Sequence, residues 1–228
     1  MGIVEKNLGN FQKALELYEK ALEIERKSRG DSHVSVANTH NNIGEVYREQ
    51  GDYEKAMFHY NLALSIFWPS LGDSHVSVAD IHNNIGEVYR HQGDYEKAMF
   101  HYNSAISIYR PALGDSHVSC AVTHTNIGTT YQKMGDTEKA MTHLNIALPI
   151  FLESLGPKHS YVAEAKNIMG AVYKQLSNDD LARQLLQDAH DIYFESLGPL
   201  HPDTLKAAHD LAEVCRVIAD NEGAKNLG

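Results

Sequence analysis

An internal repeat of 42 residues constrains the fold of this chain more than any other feature. The blocks 33–74 and 75–116 are identical at 34 of 42 positions, and the same period continues more loosely on both sides. A repeat of this length is typical of a supersecondary unit that buries its apolar face only by stacking against neighbouring units. The chain divides into four complete repeats and two partial ones, at 33–74, 75–116, 117–158, 159–200, 1–32 and 201–228.

Each repeat is predicted to contain two helices joined by a short turn. In 76–91 the apolar residues follow the three- and four-residue spacing of one buried helix face. Gly93 and Asp94 then supply a helix-stopping glycine and an N-capping aspartate. The second helix is expected from Tyr95 to about Arg110, and since no segment alternates like a strand, the fold class is all-α.

Prolines interrupt three of the second helices. Pro69 and Pro111 lie in the last turn of their helices, where we expect an early end or a bend. Pro149 lies in the middle of the third-repeat helix, 137–154, where we expect a kink. The reason is that proline lacks the backbone N–H and clashes with the preceding turn.

The recurring residues resemble the tetratricopeptide repeat. In the second repeat that family's pattern of apolar, glycine, tyrosine, turn glycine, alanine, aromatic and alanine positions falls on Ile85, Gly86, Tyr89, Gly93, Ala98, Tyr102 and Ala105. The period exceeds the family's usual length of about 34, and with its LG-x-x-H-x-x-V-A loop it resembles the kinesin light chain type. The resemblance implies a right-handed α-α superhelix, a single solenoid domain over 1–228.

Both ends of the chain cut a repeat. Met1 falls inside the first helix of a repeat, and the sequence stops before the last second helix is complete. Since solenoids usually end in polar capping elements, we expect a fragment of a longer array. A small protein with degenerate caps is the alternative.

Two poor helix formers recur in the segment HNNIGEVYR, at 40–48 and 82–90. We expect its glycine to be buried where two helix backbones approach most closely. Its asparagines belong to a polar stripe that stacking would align along the concave wall. An asparagine side chain both donates and accepts, so it can bind the backbone of an extended peptide, and the resemblance implies this role for Asn42, Asn84 and Asn126. Ile168 takes that place in the fourth repeat, which restricts the expected site to repeats one to three.

The predicted peptide-binding groove also contains charged residues of both signs. Its members are Asn42, Asn84, Asn126, Asn41, Asn83, Glu45, Glu87, Arg48, Arg90 and Lys133. Glu45 and Glu87 stand three residues before Arg48 and Arg90, a spacing that allows pairing along one helix. The alternative interpretation of these residues is a solvated helix face with surface ion pairs.

Composition argues against several functional classes. The formal net charge of −10 disfavours binding to nucleic acid or to a membrane, and no apolar run is long enough to span a bilayer. Cys120 and Cys215 are expected to be buried free thiols, in keeping with a cytoplasmic protein. The fourteen histidines mostly follow the repeat, too far apart for shared metal ligation. We therefore expect no metal, no cofactor and, without a catalytic motif, no enzyme.

These features predict a non-enzymatic interaction module. It would bind a protein or peptide segment in the concave groove and serve as an adaptor or scaffold for cargo or complex assembly, as the kinesin light chain resemblance implies. The alternative is a structural repeat array of a larger multidomain or signalling protein. Such an array would space domains or self-associate through its sides or repeat ends.

Overall fold

The computed structural model describes residues 1–225, apart from the side chains of residues 7 and 222–225. Over this range the chain forms eleven α-helices and no strand, as predicted. The helices are α1 Gly2–Asn7, α2 Phe11–Arg29, α3 Val34–Glu49, α4 Tyr53–Leu71, α5 Val76–His91, α6 Tyr95–Leu113, α7 Val118–Met134, α8 Thr137–Leu155, α9 Ser160–Gln175, α10 Asp179–Leu197 and α11 Pro202–Lys225. None of the helices in this range is long and apolar enough to cross a bilayer.

The helices belong to two compact units, Met1–Gly114 and the part of the chain from Asp115 onward. In the first unit α1 packs on α2, α3 on α4 and α5 on α6, and α3 also contacts α5. In the second unit α7 packs on α8, α9 on α10 and α10 on α11, and α7 also contacts α9. The odd-numbered helices are here called the first helices, and each of them before α11 is followed by a second helix that packs on it.

Side chains that recur with the repeat begin the helices. A histidine caps each complete-repeat first helix, and its Nδ1 accepts from the backbone N–H two residues later, as His75 does from Ser77 at 3.1 Å. An aspartate caps the second helices of the first three complete repeats, as Asp94 does by accepting from the Lys97 N–H at 3.2 Å. The loop histidines are thus explained by hydrogen bonds that satisfy the otherwise unpaired first amides of the helices.

The repeated glycine makes room for a side chain. A Cβ at Gly86 would stand 2.6 Å from Cε1 of Tyr102, whose ring is fully buried, and Gly44 has the same relation to Tyr60. The glycine is buried, as expected, and in these repeats an aromatic ring of the second helix fills the space that its side chain would need. At Gly128 the neighbours are the smaller Leu144 and the carbonyl oxygen of Ala140.

The prolines do not shorten their helices. The helices α4, α6 and α8 each contain a proline and run for 19 residues, as α10 does without one. The predicted early ends are therefore wrong, and α6 continues three residues beyond Arg110, to Leu113. Pro149 lies on the exposed side of α8, while Ala147 and Phe151 on either side of it are fully buried. This packing holds the helix together across the lost hydrogen bond.

The two cysteines lie in different surroundings. Cys120 is buried in α7, as expected, and Cys215 is exposed on α11. The expectation of two buried thiols is therefore wrong for Cys215. The angular position of a residue on its helix decides whether its side chain faces the core or solvent. In the last partial repeat the apolar periodicity is too loose to predict that position for Cys215.

Candidate functional site

The candidate site in the first unit lies on the contacting helices α3 and α5. Asn84 donates from Nδ2 to Oδ1 of Asn41 at 2.9 Å, across the two helices. Asn41 in turn donates to Oε1 of Glu45 at 3.0 Å, and Asn83 donates to Oε1 of Glu87 at 3.4 Å. The predicted site residues of repeats one and two are therefore brought together, in a network that joins successive repeats.

The asparagines differ in how accessible they are. Asn42 and Asn84 are partly exposed, whereas Asn83 is 8% exposed and Asn126, in the second unit, is 7% exposed. Asn42 has no hydrogen-bond partner among the side chains that the structure describes, and Asn84 keeps its Oδ1 for a further donor. Asn42 and Asn84 are thus the amides best placed to meet a ligand.

A ladder of ion pairs connects successive first helices. Nζ of Lys6 lies 2.5 Å from Oε2 of Glu45, and Nη1 of Arg48 lies 2.5 Å from Oε2 of Glu87. Each cation pairs with the glutamate 39 residues later, and we call this series the ion-pair ladder. The predicted pairing of Glu45 with Arg48 along one helix is wrong, because the contact of α3 with α5 brings Glu87 closer.

Burial makes the ladder pair strong. The Arg48 and Glu87 side chains are only 17% and 18% exposed, so their attraction is less screened than that of a surface pair. Burial lowers the pKa of Arg48, but the nearby carboxylates, that of Glu87 first, raise it overall. The guanidinium therefore stays charged.

In the sequence the series is interrupted after Glu87, and the second unit contains one further ion pair of the same spacing. Nζ of Lys174 lies 2.7 Å from Oε2 of Glu213, with the same spacing of 39 residues. At the two intervening glutamate positions the sequence has Thr129 and Ala171. Arg90, whose place in its repeat is that of Arg48, has no acidic partner in the range that the structure describes, and its Nε is buried without a hydrogen bond.

A cavity of about 220 Å³ opens in the second unit beside the interruption. Its lining comes mainly from the first helices α7, α9 and α11, and we name it the lysine cavity for Lys133, Lys174 and Lys206. Lys133 was predicted to belong to the groove. Because Ile168 replaces the repeated asparagine in repeat four, the sequence predicted no site there. Asn167 and Lys206 were therefore not predicted as site residues, although they line this cavity together with Ile168.

Three pairs of histidines connect first and second helices within a repeat. The Nδ1 atoms lie 3.0 Å apart in His40 and His59, and 2.9 Å apart in the pairs His82–His101 and His124–His143. Burial, then the neighbouring His82, lowers the pKa of His101 to about 4. The pair His82–His101 is thus a neutral hydrogen-bonded unit. No group of three or more metal-ligating side chains occurs in the part of the chain described.

Comparison with known families identifies the repeat. The family model described as tetratricopeptide repeat matches residues 1–67, 77–153, 119–193 and 161–227. The chain belongs to the tetratricopeptide repeat family. Its all-α solenoid fold is the one predicted, and tetratricopeptide repeats are in general protein interaction modules rather than enzymes.

Solved structures of tetratricopeptide type resemble the chain in fold. BtubC (BKLC) from P. vanneervenii is 23% identical, with a TM-score of 0.68, over 88% of this chain and 80% of the other. A putative kinesin light chain from Podospora anserina with nearly identical repeats is 19% identical, with a TM-score of 0.62, over 86% and 92%. The apo form of RapI is 19% identical, with a TM-score of 0.68, over 99% and 83%.

These likenesses confirm the predicted resemblance to kinesin light chain repeats at the level of the fold. At identities below 25% they show the fold alone. A comparison with curated protein sequences gives no significant match.

Proposed function

We propose that this tetratricopeptide chain is a non-enzymatic module that binds an extended segment of a partner protein on its first helices. In this role it would act as an adaptor or scaffold that brings cargo or complex components together. That the protein is cytoplasmic and that it does not bind nucleic acid stay predictions from the sequence.

The observation that supports this proposal most is the pair of amides Asn42 and Asn84. They occupy the same place in successive repeats, are partly exposed, and retain unused hydrogen-bonding atoms. An extended peptide presents N–H and C=O groups at regular intervals, which such amides bind whatever the peptide's sequence. Each bond contributes about 0.5–1.5 kcal/mol net, so several bonds with some side-chain burial give roughly micromolar affinity.

The ion-pair ladder supports the same surface in a different way. Because Arg48 and Glu87 neutralise each other across two first helices, the face has fixed side chains before a ligand arrives. A surface that is already ordered loses less conformational entropy on binding. The proposed groove is thus held in place by contacts that the ligand does not have to replace.

Peptide display against the whole chain tests the proposal. We expect enrichment of short extended peptides, and we expect Asn42→Ala with Asn84→Ala to weaken their binding about tenfold or more, as the loss of two hydrogen bonds predicts. Asn61→Ala with Asn103→Ala is the matched control, since these exposed asparagines on α4 and α6 also recur with the repeat.

Thermal unfolding of both double variants shows whether the fold is retained. Equal binding by the two double variants would refute the groove assignment. If no peptide is enriched and light scattering shows association that increases with concentration, the structural-array alternative is correct instead.

A further inference from the structure

Three histidine pairs share one geometry and take no part in the proposed function. Each pair joins the first and second helix of one repeat, with the two Nδ1 atoms 2.9–3.0 Å apart. The sequence predicted no shared ligation, because the repeat spaces equivalent histidines far apart. Pairing of the two helices nevertheless brings together histidines 19 positions apart, and two imidazole nitrogens this close can chelate a transition metal.

The distance between the two Nδ1 atoms selects among metal ions. Imidazole nitrogens bind at about 2.0–2.1 Å, so a right angle at the metal places two of them about 2.8–3.0 Å apart, whereas a tetrahedral angle places them about 3.3–3.4 Å apart. The 2.9 Å between His82 and His101 fits the right angle. That angle is typical of the square arrangements of Cu(II) and Ni(II), and Cu(II) binds most tightly among the divalent ions of its row.

The pair His82–His101 is the one best able to exchange its shared hydrogen for a metal. Neither ring has a further hydrogen bond among the residues described, and both are partly exposed. In the preceding pair the guanidinium of Arg26 lies 3.4 Å from Nε2 of His40. Since arginine only donates, it fixes the hydrogen of His40 on Nδ1, and it also places a positive charge beside the ring.

The sequence removes that arginine only from the second of these repeats. Trp68 takes its place there, whereas Arg110 takes the same place before the third pair. The third pair is also less accessible, since His124 is 8% exposed. The second pair therefore combines access with an environment that does not fix its hydrogen.

Aromatic contacts orient the ring that the second helix contributes. The ring of Tyr89 stacks on His101 with the centroids 5.5 Å apart, and Phe100 meets the same ring edge-on at 5.3 Å. A metal would lie to one side of the line that joins the two nitrogens. The last torsion of a histidine side chain is broad enough to turn Nδ1 toward it, and the helices already hold the nitrogens at the required distance.

We propose that His82 and His101 form a binding site for Cu(II), with their Nδ1 atoms as neighbouring ligands. The hydrogen now on one Nδ1 moves to Nε2 of the same ring, so both imidazoles stay neutral. Water completes the coordination, because no third ligating side chain groups with the pair in the part of the chain described. The bound ion links α5 to α6 within one repeat.

Quenching of Trp68 fluorescence tests the proposal, since Trp68 is the only tryptophan of the chain and its helix, α4, contacts α5. The probe is Cu(II) chloride buffered with glycine, which suppresses binding to single exposed histidines. We expect saturable quenching with one ion per chain. His82→Asn with His101→Asn, whose amides can keep a hydrogen bond between the helices, should weaken binding at least about tenfold, since even residues behind a metal ligand contribute about 10–100-fold.

The equivalent pair of the preceding repeat provides the matched control. His40→Asn with His59→Asn removes the same groups, and because separate sites act independently, it should leave the Cu(II) affinity within about twofold. Thermal unfolding of both double variants shows whether the fold is retained. Zn(II) should displace the bound Cu(II) only at an excess of about tenfold or more.

Electron paramagnetic resonance of the parent chain with one equivalent of Cu(II) is a test that needs no variant. We expect an axial spectrum with splitting from two nitrogen atoms. Splitting from fewer or more than two nitrogens, quenching that does not saturate, or an equal loss of affinity in the two double variants would overturn the proposal. The site shares no residue with the peptide groove, so the two proposals are tested separately.

Discussion

Substitution of Gly86 by alanine should destabilise the chain, because a rigid buried ring stands where the methyl group would go. The added Cβ would lie 2.6 Å from Cε1 and 2.7 Å from Cδ1 of Tyr102, about 0.9 Å closer than the usual carbon contact of roughly 3.5 Å. Overpacking of this kind costs about 1–3 kcal/mol, and alanine returns about 1 kcal/mol of helix propensity. Since a contact of 2.6 Å on a rigid buried ring places the cost in the upper part of that range, about 2–3 kcal/mol, we expect a net loss of about 1–2 kcal/mol.

Gly128 provides the matched comparison. Its added Cβ would lie 3.0 Å from Cγ and 3.2 Å from Cδ2 of Leu144, and a leucine side chain adjusts more easily than a ring. The overpacking cost should then be close to the propensity gain, so Gly128→Ala should change the free energy of unfolding by less than about 1 kcal/mol. Tyr102→Leu, which reproduces the third-repeat pair, should reduce the cost of Gly86→Ala.

Urea unfolding followed by circular dichroism at 25 °C measures these differences. The slope of the transition should be the same in every variant, which shows that the same surface is exposed on unfolding. If Gly86→Ala is as stable as the parent chain, or if Gly128→Ala loses as much, then the tyrosine ring is not the reason for the glycine.

Two further predictions concern the histidine pairs and the ion-pair ladder. Because burial, then the neighbouring His82, lowers the pKa of His101 to about 4, the neutral pair stabilises the fold fully above the unfolded value of about 6.5 and loses this contribution as the pH falls toward 4. Urea unfolding at a series of pH values should show that fall, and His82→Asn with His101→Gln should flatten it; an unchanged profile would contradict the assignment. A double-mutant cycle with Arg48→Met and Glu87→Gln should give a coupling energy of about 1–3 kcal/mol, since both side chains are mostly buried. A coupling energy near zero would show that the pair is solvated. As a control, the cycle with Arg90→Met and Glu87→Gln should give a smaller coupling energy.

The helix pattern was predictable because it depends on local sequence. The first helix of the second repeat runs over Val76–His91, as its apolar spacing predicts, and Asp94 caps the next helix as expected. Such features follow from period, caps and turn residues within one repeat. The effect of the prolines was not predictable in this way, since packing of α8 on its neighbours outweighs the local cost that Pro149 imposes.

The contacts between repeats also lie beyond local sequence. Arg48 has a glutamate three residues before it, but its partner is Glu87, 39 residues away. Sequence spacing along one helix favours the near pair, whereas the distance between two stacked helices decides the real one. The burial of Asn126 and Asn83, which are 7% and 8% exposed, was likewise not predicted from their place in the polar stripe.

The lining of the lysine cavity includes positions at which the sequence departs from its own repeat. Comparison at a spacing of 42 places Glu45 and Glu87 in line with Thr129, Ala171 and Glu213, so the loss of acid is visible in the sequence alone. The sequence alone does not show what this loss changes, because the side chain that pairs with each glutamate lies in another repeat. Repeated contacts stack the units and are alike in every copy, so they distinguish no ligand. The interruption places Thr129 and Ala171 in the lining of the lysine cavity, and by the spacing of 39 residues it leaves Arg90 without an acidic partner among the residues that the structure describes.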